Sequence, residues 1–336
     1  MRYVIWTLTA MSLCTVQTVA SAQIVKTFKV ERDNLIEEAH KPNNDGSWGY
    51  GWIKVSQGAH NYGLLGFDLR GLIALTDPVG QIVSATLILR VGQNHFAEDG
   101  KTYNIHRWDP SAGVSDWVEG KDRWDLFSYC SKSVWSRPAD AIGGEGSTWT
   151  CSNDPAVRDG SVACATPTPG TTRQWAPALN GGVHAGFDPT PTTDTFEKKQ
   201  STNPAADCPN LLPQYANNCN PLCGNSLECL DAGYSVEQCY RKVTFDLTGD
   251  VEQFVANGVA HPSWLIKRAD NSGAGAFHYF SREGATCILG NCGQGADYEK
   301  YKDLQPVLEV VLTDEPPGTI VDPPLHCEAL CPTPTP

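Results

Sequence analysis

Charge is scarce in this chain, and charge of one sign especially so. Charged residues make up 19% of the 336 positions, with 25 Lys and Arg against 38 Asp and Glu, a net charge of −13. So few charges do not fit a coiled coil or a highly charged disordered chain. The deficit of basic residues argues against nucleic acid as the main partner, because phosphate binding needs a basic surface. Beyond the N-terminus no apolar run is long enough for a membrane span, which takes about 18 residues. Catalytic signatures are missing too. No G-x-S-x-G, H-E-x-x-H or P-loop occurs, and the eight His are scattered with no recognisable triad. Asn-x-Ser/Thr is absent, so the sequence offers no N-glycosylation site.

What is present begins with an export signal. Arg2 gives a positive start, Val4 to Val19 an apolar stretch, and Ala20-Ser21-Ala22 a small-residue cleavage site. This predicts removal of residues 1–22, a mature start at Gln23 and a secreted or cell-surface protein. Of the 13 cysteines, Cys14 leaves with the signal. The others, Cys130, Cys151, Cys164, Cys208, Cys219, Cys223, Cys229, Cys239, Cys287, Cys292, Cys327 and Cys331, are even in number. In an oxidising compartment they predict disulfides, whose connectivity spacing does not give. Zinc is the rival, but Cys219-x3-Cys223 is not followed by matching ligands.

Short β-branched and aliphatic runs separated by Gly, Asn, Asp and Pro clusters predict strands. They lie at Ile24–Val30, Trp52–Val55, Leu64–Leu69, Ile82–Val91 and Tyr103–Arg107, then at Val243–Leu247, Trp264–Lys267, Phe277–Ser281 and Val307–Leu312. One short helix is expected over Gly249–Val255, where Val251, Phe254 and Val255 share a face. The stretch 109–240 between the two groups is rich in Cys, Pro, Thr and Gly, and reads as a disulfide-stapled insertion carrying a few strands. Residues 314–336 form a Pro/Thr-rich tail. Together these predict an all-β sandwich over 23–313.

Seven segments, in order, resemble one family. They are Asp33-Asn34-Leu35-Ile36-Glu37-Glu38, Gly63 to Leu69, Val83 to Leu89, Trp117-Val118-Glu119 with Thr148-Trp149, Val243 to Thr248, Phe280 to Glu283, and Pro306 to Val310. This pattern resembles the DNRLRE domain, a secreted module related to carbohydrate-binding modules. The resemblance implies a jelly-roll fold and non-catalytic attachment to polysaccharide, acidic glycans such as alginate among them. No catalytic domain accompanies it here.

Candidate binding residues follow from chemistry. Trp48, Tyr50 and Trp52 alternate in Ser47–Trp52 and would share one strand face, a platform on which pyranose rings could stack. Core packing is the competing role for such rings. Trp117, Trp124, Trp149 and Trp175 read as pins of the insertion. An acidic chain binding an acidic glycan needs a local basic patch or a bridging cation. Lys54, Arg70, Arg90, Arg107, Arg268 and Arg282 could supply the patch, with Arg90 and Arg282 as the chosen glycan contacts. Asp33, Glu38 and Asp45, near Asn43 and Asn44, offer hard oxygen ligands for a structural Ca²⁺, although no EF-hand loop is formed and Asx turns would explain them without metal. Glu37 and Glu38 point to opposite faces of a strand and so cannot flank one glycosidic bond. The sequence therefore predicts a secreted, non-catalytic polysaccharide-binding protein. Its rival is a structural cell-surface, matrix or filament subunit whose partner is another copy of itself.

Overall fold

The computed structural model describes residues 23–38, 52–56, 60–75, 81–95, 101–119, 145–156, 161, 163–177, 182–197, 233–239, 242–270, 276–282 and 302–313. The signal segment, Trp48, Tyr50, Asp45, Trp124 and the tail lie outside the described residues.

The strands are β1 (Gln23–Glu37), β2 (Trp52–Ser56), β3 (Asn61–Phe67), β4 (Ile82–His95), β5 (Lys101–Arg107), β6 (Thr193–Glu197), β7 (Lys242–Asp246), β8 (Ser263–Arg268), β9 (Ala276–Phe280) and β10 (Val307–Thr313). The helices are α1 (Arg70–Ile73), α2 (Val236–Cys239) and α3 (Thr248–Ala256). The fold is all-β. Each strand expected from the sequence is present. The expectation of one helix is corrected, because α1 and α2 are single turns too short to carry a hydrophobic period. Arg70, next after the expected strand Leu64–Leu69, opens α1.

All the pairings between named strands are antiparallel and form an almost closed ring, β1-β10-β4-β9-β2-β3 and back to β1. β3 also carries β8, β5 and β6 outward in that order, and β7 pairs with β4. Two long strands make the ring possible by serving both layers. β1 pairs with β10 through Gln23–Lys29 and with β3 from Val30 onward, and the register shifts between Val30 and Arg32. β4 pairs with β10 and β7 up to Arg90 and with β9 from Val91, shifting between Val91 and Gln93. An extra residue bends a strand and increases its twist, so each bulge redirects its strand from one layer to the other.

The core lies between the layers. Ala85, Leu87 and Leu89 of β4, Leu308, Val310 and Leu312 of β10, and Val243 and Phe245 of β7 face Leu65, Phe67, Ile105, Trp264, Ile266 and Tyr279. β10 alternates buried and half-buried residues, as a strand with one covered face should. β3 and β8 are instead buried at every position. Their outer face is covered by a second cluster, in which Tyr62, Leu64 and Leu265 meet Trp108, Trp117, Trp149, Trp175 and Phe187. The described segments between Val114 and Phe187 therefore form a loop-rich third layer on the sheet. Trp117, Trp149 and Trp175, each no more than 2% exposed, pin it as the sequence suggested. Among the described residues one disulfide contributes, Cys151–Cys164. Aromatic burial is what visibly holds this layer; the 109–240 stretch also supplies β6 to the sheet edge.

α3 closes one end. Val251, Phe254 and Val255 are buried, and the Phe254 ring meets Trp264 edge-on at 5.4 Å. Thr248 ties the helix start to β4 by accepting the Ala85 N–H at 3.0 Å.

Candidate functional site

The first of the seven segments is buried from Asp33 to Glu37, with Leu35 in the core between the layers and Ile36 in the second cluster. Asp33 is fully buried, and its carboxylate accepts the backbone N–H of Arg282 at 2.7 Å. Its own N–H donates to Glu119 at 2.9 Å, and the other Glu119 oxygen takes the Arg282 guanidinium at 2.6 Å. Next to it, Arg32 donates to Asp116 at 2.6 Å and to the Trp117 carbonyl at 2.5 Å, with its guanidinium 4.4 Å from the Trp117 ring centroid. Asn34 donates to the Ser147 carbonyl at 2.9 Å. β1, the end of β9 and the loop layer are thus clasped by one polar network. Buried polar groups need such partners, since each one left unpaired costs about 1–3 kcal/mol.

This placement changes how several sequence candidates read. Asp33 and Arg282, chosen as metal ligand and glycan contact, both serve the clasp. Glu38, the second ligand candidate, pairs with His60. Among the described residues no group of three or more His, Cys, Asp or Glu is placed to hold a metal ion. Trp52 opens β2 and its backbone pairs with Phe280.

The arginines proposed as a basic patch are each matched to a carboxylate. Arg70 pairs with Asp68 at 2.5 Å and holds that carboxyl down at about 2. Arg268, fully buried, pairs with Asp270 at 2.6 Å. Arg90 pairs with Glu237 of α2. Arg107 lies 3.2 Å from Asp188 and 3.9 Å from Asp250, and donates to Gln253. The local charge at these sites is close to neutral or negative.

Among the described residues two clefts are open to a ligand. The first, of about 600 Å³, lies where β5 ends beside α3. Its apolar lining is Trp108, Pro110, Phe254 and Val259; its polar lining is Arg107, Asp109, Ser111, Gln253 and Asn257. The polar side is held in place. Asp250 accepts from Thr192 at 2.7 Å and from the Trp264 indole at 2.8 Å, and Asn257 donates to the Gln253 carbonyl at 2.8 Å. Burial raises the Asp250 carboxyl, against the pull of those hydrogen bonds and of Arg107. The Trp108 ring sits edge-on to Phe187 at 5.1 Å and lies against Gly186, whose φ of +97° is left-handed. A Cβ at Gly186 would run into that ring.

The second cleft, of about 460 Å³, is lined by Arg90, Tyr234, Ser235, Glu237 and Asp303 among others. Arg90, one of the sequence-chosen glycan residues, lines this cleft.

Sequence reasoning missed Gln253, Asn257, Tyr234, Glu237 and Asp303. Asn257-Gly258, with Gly258 at φ +67°, is a helix C-terminal signal that could have located the first cleft. Ser235-x-x-Gln238 is a capping signature beside the second.

No family model matches this chain, and no curated protein matches it. The DNRLRE resemblance accordingly stands on its seven segments.

Proposed function

We propose that this is a secreted or cell-surface, non-catalytic polysaccharide-binding protein on a jelly-roll scaffold. The observation that carries the reading is the first cleft. Its lining sets an apolar strip from Trp108, Phe254 and Val259 against donors and acceptors from Arg107, Asn257, Gln253 and Asp109. A pyranose has that amphipathic character, with C–H faces and a belt of hydroxyls. Small sites of this kind gain area from the apolar side and orientation from a few polar groups. A volume of about 600 Å³ falls in the range of ligand sites. Arg107 already faces Asp188 and Asp250, which favours uncharged sugar over a carboxylate ligand.

Affinity electrophoresis of the purified chain, and of Asn257→Ala, through gels holding neutral or acidic polysaccharide with Ca²⁺ or chelator, tests this. Retardation by a glycan, weakened in Asn257→Ala, supports the reading. Loss of retardation on chelation would give calcium a role. Free migration in every gel defeats the proposal.

Self-association has one observation in its favour. Ile24 and Val25 are 45% and 55% exposed on the β1 segment that pairs with β10 along one side. Two such strands pairing antiparallel about their middle would set Lys26 against Lys26, a like-charge contact of the kind that protects sheet edges. Light scattering without glycan distinguishes the two readings: a concentration-dependent rise in mass would favour the structural subunit.

A further inference from the structure

The second cleft asks for a ligand of opposite charge. Gly233, at φ +86°, turns the chain into Tyr234 and Ser235. Ser235 and Gln238 then cap α2 reciprocally, the Gln238 N–H donating to Ser235 Oγ at 3.3 Å and the Ser235 N–H to Gln238 Oε1 at 3.0 Å. This arrangement fixes the backbone that carries Tyr234. The ring is 40% exposed, the one aromatic among the exposed large apolar residues of the described chain.

The charges around it are unequal. Arg90 is 11% exposed and committed to Glu237. Glu237 is 53% exposed, and Asp303 is exposed as well. Among the described lining residues one cation therefore meets two carboxylates, which leaves net negative charge beside an exposed aromatic ring. A cation satisfies both features, because a carboxylate and a ring quadrupole attract the same sign. The whole chain acts in the same direction: at −13 it repels a polyuronate and draws in a polycation.

We infer that the Tyr234–Asp303 cleft binds the ammonium group of a 2-amino sugar within a polysaccharide. The Tyr234 ring takes the sugar's C–H face or the ammonium itself, and Asp303 and the exposed side of Glu237 supply the counter-charge. This inference rests on the glycan-binding reading and adds the class of sugar. N-acetylation removes the cation and leaves the ring, so the cleft discriminates between the two forms of one polymer.

The test compares chitosan, its fully re-acetylated form kept soluble by short chain length, and polylysine. Binding is measured at about pH 6, below the ordinary amine range. The expected result is tighter binding of the amine polymer, with Asp303→Asn and Tyr234→Leu each cutting that preference about threefold, a factor in keeping with one exposed cation–ring or ion-pair contact. Asn257→Ala, in the first cleft, lowers binding of both glycans and keeps their ratio. Both substituted residues are exposed, and an unchanged melting temperature confirms that the variants fold.

Equal affinity for the acetylated and amine polymers overturns the inference and leaves the glycan-binding reading standing. So does an undiminished preference in Asp303→Asn. Polylysine bound as tightly as chitosan, with the same sensitivity to both variants, overturns it too, since the sugar ring would then contribute nothing. Failure to bind any glycan overturns this inference together with the reading beneath it.

Discussion

Arg282 and Glu119 meet at 2.6 Å across 163 positions of the chain, closing a clasp that also holds Asp33. Both side chains are partly covered, at 36% and 18% exposure, and each has a second partner, the Glu31 carbonyl for Arg282 and the Asp33 N–H for Glu119. Breaking the pair from one side leaves the other charge half-desolvated, the costly way to lose an ion pair. Glu119→Ala is expected to destabilise the protein by about 2 kcal/mol, after discounting for solvent at Arg282. Urea denaturation measures this. A change within about 0.5 kcal/mol, the range of ordinary surface substitutions, would show that the clasp adds little.

His184 is expected to make the fold acid-sensitive. It is wholly buried between Trp149, Trp175 and Tyr62, and its Nε2–H donates to the Trp149 carbonyl at 3.0 Å. Desolvation pushes its pKa from 6.5 down to about 3. The unfolded chain therefore binds the proton first. Stability is full above pH 6.5 and falls as pH drops from 6.5 toward 3, by about 1.4 kcal/mol per unit from this residue. Denaturation curves at about pH 7 and pH 5 should differ by about 2 kcal/mol on its account. Burial lowers His106 as well, so His184→Asn is expected to remove only part of the slope. An unchanged slope in that variant would exclude His184 as the source.

Gly186 is expected to tolerate no side chain. Alanine there is strained by the left-handed backbone and meets the Trp108 ring. A loss of about 2 kcal/mol or more is expected from the two effects together. Because Trp108 lines the first cleft, glycan retardation should weaken in the same variant. A melting curve and an affinity gel read the two effects separately, and a wild-type result in both would remove Trp108 positioning from the argument.

The loop layer should depend more on its tryptophans than on its described disulfide. Trp149→Ala empties a site between Tyr62 and His184, at a cost of about 3–5 kcal/mol. Replacing Cys151 and Cys164 with serine reopens a short loop, at about 3 kcal/mol by the chain-entropy account. Limited proteolysis should cut within 109–190 faster in the tryptophan variant than in the serine variant. The reverse order would make the disulfide the main staple.

Much of the fold was legible because strands announce themselves locally. Leu308, Val310 and Leu312 alternate with half-buried neighbours, and Val251, Phe254 and Val255 fall on one helix face, so period alone located β10 and α3. β3 was legible as a strand, but burial on both its faces was not, since Tyr62 and Leu64 are covered by tryptophans from a distant loop layer. The opening motif was legible as a pattern and misleading as chemistry. Asp33 carries the charge of a metal ligand, yet its partner is a backbone N–H 249 residues away.

By itself the sequence determined the all-β class, the strand positions, the acidic balance and the role of Trp117, Trp149 and Trp175 as pins, because each depends on residue type and local period. Only the tertiary structure decided which arginines are spent on carboxylates, how β1 and β4 pass between layers, and where the clefts open. Those outcomes depend on contacts between segments far apart in the chain. Arg90 illustrates the difference: composition counts it as a free cation, and the fold sets it against Glu237 beside Tyr234 and Asp303.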